Sequence, residues 1–423
     1  MFQWLKHLFF AGREAVSLPL LIWVVVVSTL ATFSISGVQI AGFNLSGLAW
    51  VITLALSVLV MSSRARLISF PVWIMIPWCI LLVSNWLGTE YPSDQRTAQL
   101  LCPLFAGAAA SSLTISEAQL RQFSWLLRVA SLIALIAVLL TTGIVATGSL
   151  PEVTALAPQV MTVALLCCYF AARHAENREP RELAMWGLLA LVPIVGVTRT
   201  GVVAVLLTLP LTLAPLGLTK RLTGLGAVAA AGLLVFYTTI FQQKMFESGE
   251  GTLSDVLEGD YRDSGRKYMW DIFEDAISND PWLARGTGAG ENLSWKITEG
   301  MSGYPHNDWL LLSYDYGIDG AALFLLTLMA LALHAYLRAR RASSPEARVL
   351  FFAGASAFVP FAAFMSTDNI SIYVSFFGNL HFAILGLGYA ALRTEGELSA
   401  TPDRLDYQDP FANPRGRLTR PFN

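Results

Sequence analysis

Long apolar runs separated by short polar connections set the pattern of this chain. A membrane-spanning helix needs about 20 mostly apolar residues, and twelve such runs can be drawn. They cover residues 17–36, 45–62, 68–88, 98–115, 124–147, 159–175, 183–198, 199–218, 222–241, 317–337, 347–367 and 370–391. The boundary between the seventh and eighth is the weakest, because apolarity continues from Leu183 past Thr198, Arg199 and Thr200. Between 241 and 317 the pattern breaks into a polar stretch with short helical periodicities. The chain therefore reads as an all-α polytopic membrane protein: helices 1–9 within 1–241, a long loop at 242–316, helices 10–12 within 317–391, and a polar tail at 392–423.

Charge placement orients this array. Lys and Arg collect in cytoplasmic connections. With the N-terminus inside and sides alternating, twenty of the 28 basic residues fall inside, among them Lys6, Arg13, Arg64, Arg128, Arg173, Arg348 and the tail arginines from Arg393 to Arg420. The loop at 148–158 has none, as an outer loop should. Both termini are then cytoplasmic, and 242–316 faces the opposite side. Lys6 and Arg13 precede the first apolar run and no small-residue cleavage site follows it, which predicts an uncleaved signal anchor. The tail from Thr394 onward, rich in Pro, Arg and Asp, reads as disordered.

Composition agrees. Charged residues make up 14% and apolar ones 55%, with a mean hydropathy of +0.55, whereas soluble domains carry roughly 25% charged residues. The net charge of -2 and the lack of a basic stripe argue against a nucleic-acid partner. Cys79, Cys102, Cys167 and Cys168 lie inside apolar runs without zinc-ligand spacing, so they read as small buried hydrophobes.

The outer segment 242–308 carries thirteen acids against six basic residues, so each basic residue in it is worth tracing. Residues 264–278 read as a helix that Asp263 or Ser264 can cap. Arg266, Trp270, Phe273 and Ile277 fall on one face, and a guanidinium pointing inward with aromatics needs an anionic partner. Arg262 is either a local ion pair with Asp260 or Asp263 or a substrate ligand. The run Pro281 to Gly290 is glycine-rich and turn-like but matches neither the Walker nor the dinucleotide fingerprint. Of five histidines, only His306 lies outside, ahead of a helix reaching Tyr316 that is too polar for lipid. No second His or Cys stands near it, so no metal site is expected. A lone His is more often structural than catalytic. Arg199, at an outer turn, either snorkels to headgroups or meets a lipid phosphate. Asp315 and Asp319 either orient neighbours or pair with loop residues.

Taken together, three places resemble the O-antigen ligase and polymerase superfamily. They are Thr198-Arg199-Thr200-Gly201; Arg266 and Trp270 followed by Pro281, Gly286 and Gly288; and His306-Asn307 with Leu310, Gly317 and Gly320. The resemblance covers 180–340 by motif. It implies a GT-C-like array of about twelve helices with one long periplasmic loop in the bacterial inner membrane. It also implies a glycosyltransferase that needs neither nucleotide nor metal ion. Its donor would be a glycan on undecaprenyl diphosphate and its acceptor a sugar hydroxyl on the lipid A core. Arg199 and Arg266 would then bind the diphosphate, with Arg262 and Asn307 as further substrate ligands and His306 as base. The rival readings are an O-antigen polymerase, a protein O-oligosaccharyltransferase and, in a different class, a lipid or solute transporter. A single sizeable outer loop favours the ligase. Unusual charges confined to one face argue against a transporter, whose sites lie near the membrane midplane.

Overall fold

The computed structural model describes residues 17–33, 39–40, 43–90, 93–146, 157–196, 198–258, 260–262, 265–301 and 303–400. Lys6, Arg13, Asp263, Ser264, most of the 148–158 loop and the tail beyond 400 lie outside the described residues.

The architecture is all-α. Helices α1 (Leu20–Leu30), α2 (Leu45–Arg64), α3 (Val72–Gly88), α4 (Asp94–Ser112), α5 (Glu117–Ala146), α6 (Ala157–Asn177), α7 (Pro180–Val195), α8 (Arg199–Leu207) and α9 (Leu218–Phe236) account for the first nine runs. The polar segment folds into α10 (Thr239–Met245), α11 (Leu253–Glu258), α12 (Arg266–Asn279) and α13 (Ala289–Ile297). Then follow α14 (Asp308–Ala339), α15 (Pro345–Met365) and α16 (Phe377–Ala400). Among the described residues the extended structure is one antiparallel pair, β1 (Gln39–Ile40) with β2 (Phe43–Asn44).

Among the described residues, five helices are long and apolar enough to cross a membrane: Gly47–Leu67, Glu117–Leu140, Leu218–Phe236, Asp308–Ala339 and Pro345–Met365. Leu20–Phe33 and Val72–Gly88 are apolar but shorter. The eighth predicted run departs from expectation. Its helix stops at Leu207, and nine residues rise only about 14 Å, too short to span a hydrocarbon core of about 30 Å. Pro210 and Pro215, which lack the N–H that a helix interior uses, follow its end. At the other end of the chain α16 continues to Ala400, so the first residues of the predicted tail are helical.

Apolar side chains face outward as well as inward. Trp73, Leu140, Leu234 and Leu333 are more than half exposed, which suits lipid rather than water as the surrounding solvent. Inside, α4 and α16 form the most extensive helix pair. A Cβ on Gly386 would stand 2.3 Å from the Gly107 carbonyl oxygen. The two backbones approach closely because glycine leaves room, the usual basis of tight helix packing in lipid.

Charges separate to the two ends of the bundle. At one end Arg173 bridges Glu182 and Glu346, Arg128 joins Glu182, and Arg348 pairs with Glu176. At that same end the Arg393 guanidinium donates to the Ser111 and Leu113 carbonyls. The other end carries α10–α13 and the candidate site. There α14 is broken at Gly317, whose φ of 77° and ψ of 166° suit only glycine. The break separates a polar half-helix, Asp308 to Tyr316, from the apolar length that follows.

Candidate functional site

The helix α12 buries Met269, Phe273 and Ile277, which is the face predicted from Arg266, Trp270, Phe273 and Ile277 with Met269 added. Asp263 and Ser264, expected to cap it, lie outside the described residues. Gly265, with φ of 76°, occupies the N-cap and contributes no side-chain hydrogen bond. Phe273 packs with Leu311 and Met269 beneath the loop, so the start of α12 is fixed against the half-helix of α14.

That packing brings Arg266 to residues 366–369, the turn between α15 and α16. The Arg266 Nη1 donates to the Thr367 carbonyl oxygen at 2.7 Å. The anionic group expected opposite this guanidinium is therefore not its hydrogen-bond acceptor; the carboxylate stands one residue on, at Asp368. The Thr367 hydroxyl in turn donates to the Thr200 Oγ1 at 2.9 Å, which adjoins Arg199 at the start of α8. The Arg199 Nη1 donates to the Arg262 carbonyl oxygen at 2.9 Å, and its guanidinium lies 5.9 Å from the centre of the Tyr261 ring. Arg262 thus meets the site through its backbone, while its side chain is exposed.

His306 closes the other side. Its Nδ1 lies 3.3 Å from the Asp368 Oδ1, with the two side chains 39% and 28% exposed. The ring is half in solvent, where a substrate can reach it. The backbone at His306 has φ of 54°, a left-handed conformation that costs a non-glycine residue roughly 1–2 kcal/mol. Neighbours hold it there: the Trp270 Nε1 donates to the Pro305 carbonyl oxygen at 2.6 Å. Asn307 is the N-cap of α14, its Oδ1 accepting from the Trp309 and Leu310 amides. That oxygen is committed to the helix end, so the Nδ2 amide is the part of Asn307 that a substrate would meet.

The Asp368 carboxyl is the residue that sequence reasoning missed. Burial pushes it up, but the hydrogen bond from His306, the Asn369 amide and the positive charges of His306 and Arg266 outweigh burial and hold it below the usual aspartate range. It is ionised at neutral pH and accepts from Nδ1 when that nitrogen carries the proton; in the neutral ring this tautomer leaves the lone pair on Nε2. A signal for it existed: Ser366-Thr-Asp-Asn369 is the polar interruption between two apolar runs on the outer side.

Beneath this layer Asp308 accepts from the Ser371 amide and hydroxyl at 2.8 and 2.7 Å, tying the turn that carries Asp368 to the base of the half-helix. Two turns along, Asp315 accepts from the Gly290 and Gly288 amides at 2.7 and 3.3 Å. It also faces Arg96 of α4 at 3.1 Å, with both side chains at most 2% exposed. So Asp315 pins the glycine-rich run rather than contacting the histidine. Arg266 and His306 meet the turn at 367–368 directly, Thr200 joins it beside Arg199, the Arg199 guanidinium turns to the Arg262 carbonyl and the Tyr261 ring, and Asn307 caps the half-helix below.

No curated protein matches the chain. The segment 183–325, which holds Arg199, Arg262, Arg266, His306 and Asn307, matches the family model described as O-antigen ligase. The match lies over the same stretch as the three motifs read from the sequence, so by this segment the chain is similar to O-antigen ligases.

Proposed function

We propose that this chain is an O-antigen ligase in the strict sense, an inverting, metal-independent glycosyltransferase of the bacterial inner membrane. It moves a glycan from undecaprenyl diphosphate to a sugar hydroxyl of the lipid A core at the periplasmic face. The observation that carries this reading is the run of contacts from Arg199 through Thr200, Thr367 and Arg266 to Asp368 and His306. One guanidinium and one carboxylate-held imidazole at a single turn, with a second guanidinium beginning the helix whose Thr200 touches that turn, suit the loss of a diphosphate.

The chemistry follows from those groups. The acceptor hydroxyl oxygen attacks the anomeric carbon from the face opposite the diphosphate. Its proton passes to the His306 Nε2, which Asp368 orients through Nδ1. The anomeric C–O bond breaks with its electron pair on the phosphate oxygen. Arg199 and Arg266 offset the charge that develops there, since guanidinium is matched to phosphate oxygens in shape and charge. Attack from the opposite face inverts the anomeric centre.

The test is a lipopolysaccharide gel from a ligase-deficient Gram-negative host with compatible glycans. It would compare wild type with Arg199→Ala, Arg266→Ala and His306→Ala at matched membrane levels. A ladder on lipid A core with wild type, lost in all three variants, is the expected result. Full ladders from His306→Ala would remove the base assignment. Longer glycans in a polymerase-deficient host, with no ladder in the ligase-deficient one, would move the chain to the polymerases.

A further inference from the structure

A second polar concavity lies toward the other end of α12 from the His306 loop. It is a groove of about 280 Å³ lined by Gly88, Thr89 and Glu90 after α3, by Arg285, by one face of α13 and by Tyr314. Arg266 begins α12 and serves the turn at 367–368. Ala276, ten residues along, accepts from the Arg285 Nη2 at 2.7 Å, which puts about 15 Å of helix between the two places.

The groove is built. The Arg285 guanidinium lies 4.5 Å from the centre of the Tyr314 ring, and its Nη1 also donates to the Leu283 carbonyl oxygen at 3.4 Å. A cation held on an aromatic face and by carbonyls is preorganised. On α13, Ala289, Asn292, Leu293 and Lys296 share one face toward the groove, as their spacing of three and four requires. The Thr89 hydroxyl donates to the Arg285 carbonyl oxygen at 3.5 Å and closes the opposite wall.

The donor and acceptor set selects a ligand class. Arg285 and Lys296 against Glu90 leave one net positive charge, so one anionic group is matched. Glu90 would repel a bare anion but accepts hydroxyl protons, and Asn292 both donates and accepts. Leu293 and Ala289 offer apolar contact to ring C–H groups. One anionic group on a ring of hydroxyls satisfies all of these together. The volume sits at the small end of ligand pockets, which run from ~300 to 1,000 Å³, and suits one sugar residue.

We propose that this groove is a subsite for an acidic sugar, a saccharide residue carrying one phosphate or carboxylate, held away from the reacting hydroxyl. The glycan context rests on the function proposed above, but the groove can be tested without turnover.

The experiment is equilibrium dialysis of the full chain in phosphatidylcholine nanodiscs, with glucose 6-phosphate and glucose as probes. Wild type should retain glucose 6-phosphate and bind glucose at least about fivefold more weakly, the worth of one half-exposed charge contact. Lys296→Gln and Asn292→Ala should each weaken glucose 6-phosphate binding by about threefold to tenfold. Lys296 is exposed, so its replacement leaves the fold intact. Equal retention of the two sugars, no retention of glucose 6-phosphate, or unchanged binding in both variants would overturn the proposal. Repeating the dialysis with phosphatidylglycerol in the disc separates the sources of the anion. Undiminished sugar binding supports a saccharide, whereas displacement assigns the groove to a lipid headgroup and overturns the sugar. His306→Ala should keep this binding whether or not it loses transfer, so failure of the ligase reading and failure of the groove give different results.

Discussion

Replacing Arg96 with Met removes the cation from a pair that has almost no access to solvent. Arg96 is 2% exposed and Asp315 0%, with 3.1 Å between Nη1 and Oδ2. None of the Arg96 guanidinium nitrogens has a hydrogen-bond partner among the described residues, so the pair is held by charge more than by directed bonds. Breaking one side of such a buried pair costs about 3–5 kcal/mol, because the other charge stays buried without compensation. The Gly288 and Gly290 amides remain on Asp315, which places Arg96→Met near the lower end of that range. Asp315→Asn strands the guanidinium, which has no such amides, and belongs at the upper end. Removing both charges together should cost far less than the sum of the single changes, with a coupling of about 2 kcal/mol or more. The assay is equilibrium unfolding in mixed detergent micelles of wild type, both single variants and the double variant. Additive single effects, or Arg96→Met within ~0.5 kcal/mol of wild type, would refute the reasoning.

Three further outcomes are expected. The stability that wild type holds over Asp368→Asn should be constant above pH ~4 and vanish as the pH falls below it. A carboxyl held below its ordinary value of about 3.9 contributes stability above that value and loses it on protonation, and paired unfolding curves across pH check this. Gly286→Ala should lower the unfolding midpoint strongly, because φ is 98° and the added Cβ would stand 2.3 Å from the Thr89 Cβ. Gly226→Ala, with nothing within 4 Å, should leave the midpoint unchanged or raise it. Trp270→Phe deletes the donor to the Pro305 carbonyl oxygen, worth about 1 kcal/mol. It should lower unfolding stability by about that amount, too little to empty the folded state, while clearly reducing transfer on the lipopolysaccharide gel; undiminished transfer would show a merely structural contact.

Much of the helical framework was legible because twenty-residue apolar runs and the four-residue step of α12 are local patterns. The eighth run misled because apolarity was read without its prolines: Pro210 and Pro215 lie in a stretch whose helix ends at Leu207. Arg199, Arg266 and His306 stood out as charges in unusual places. Their convergence depends on the turn at 366–369, and neither Thr367 nor Asp368 carries a pattern that names its partner. Arg96 was invisible for the same reason. At the head of an apolar run it resembles any interfacial arginine, and only the fold brings α14 to it. Asn307 was read for its chemistry as a ligand, whereas the geometry uses its oxygen to cap a helix, a role that asparagine fills widely.

The Arg96–Asp315 pair also imposes an order on biosynthesis. Its two halves lie more than two hundred residues apart in sequence, and chains emerge at ~5–20 residues per second, so Arg96 waits roughly ten to forty seconds for its counter-charge. During that interval the head of α4 carries a cation whose buried counter-charge has not yet been made, which favours keeping it at the water boundary. Only the arrival of α14 allows it to be drawn in. The glycine-rich run and the turn bearing Asp368 are then fastened late, after nearly the whole polypeptide has been threaded. A chain truncated before Asp315 would be left unfinished, without the half-helix against which the glycine-rich run and the turn at 366–369 are fastened.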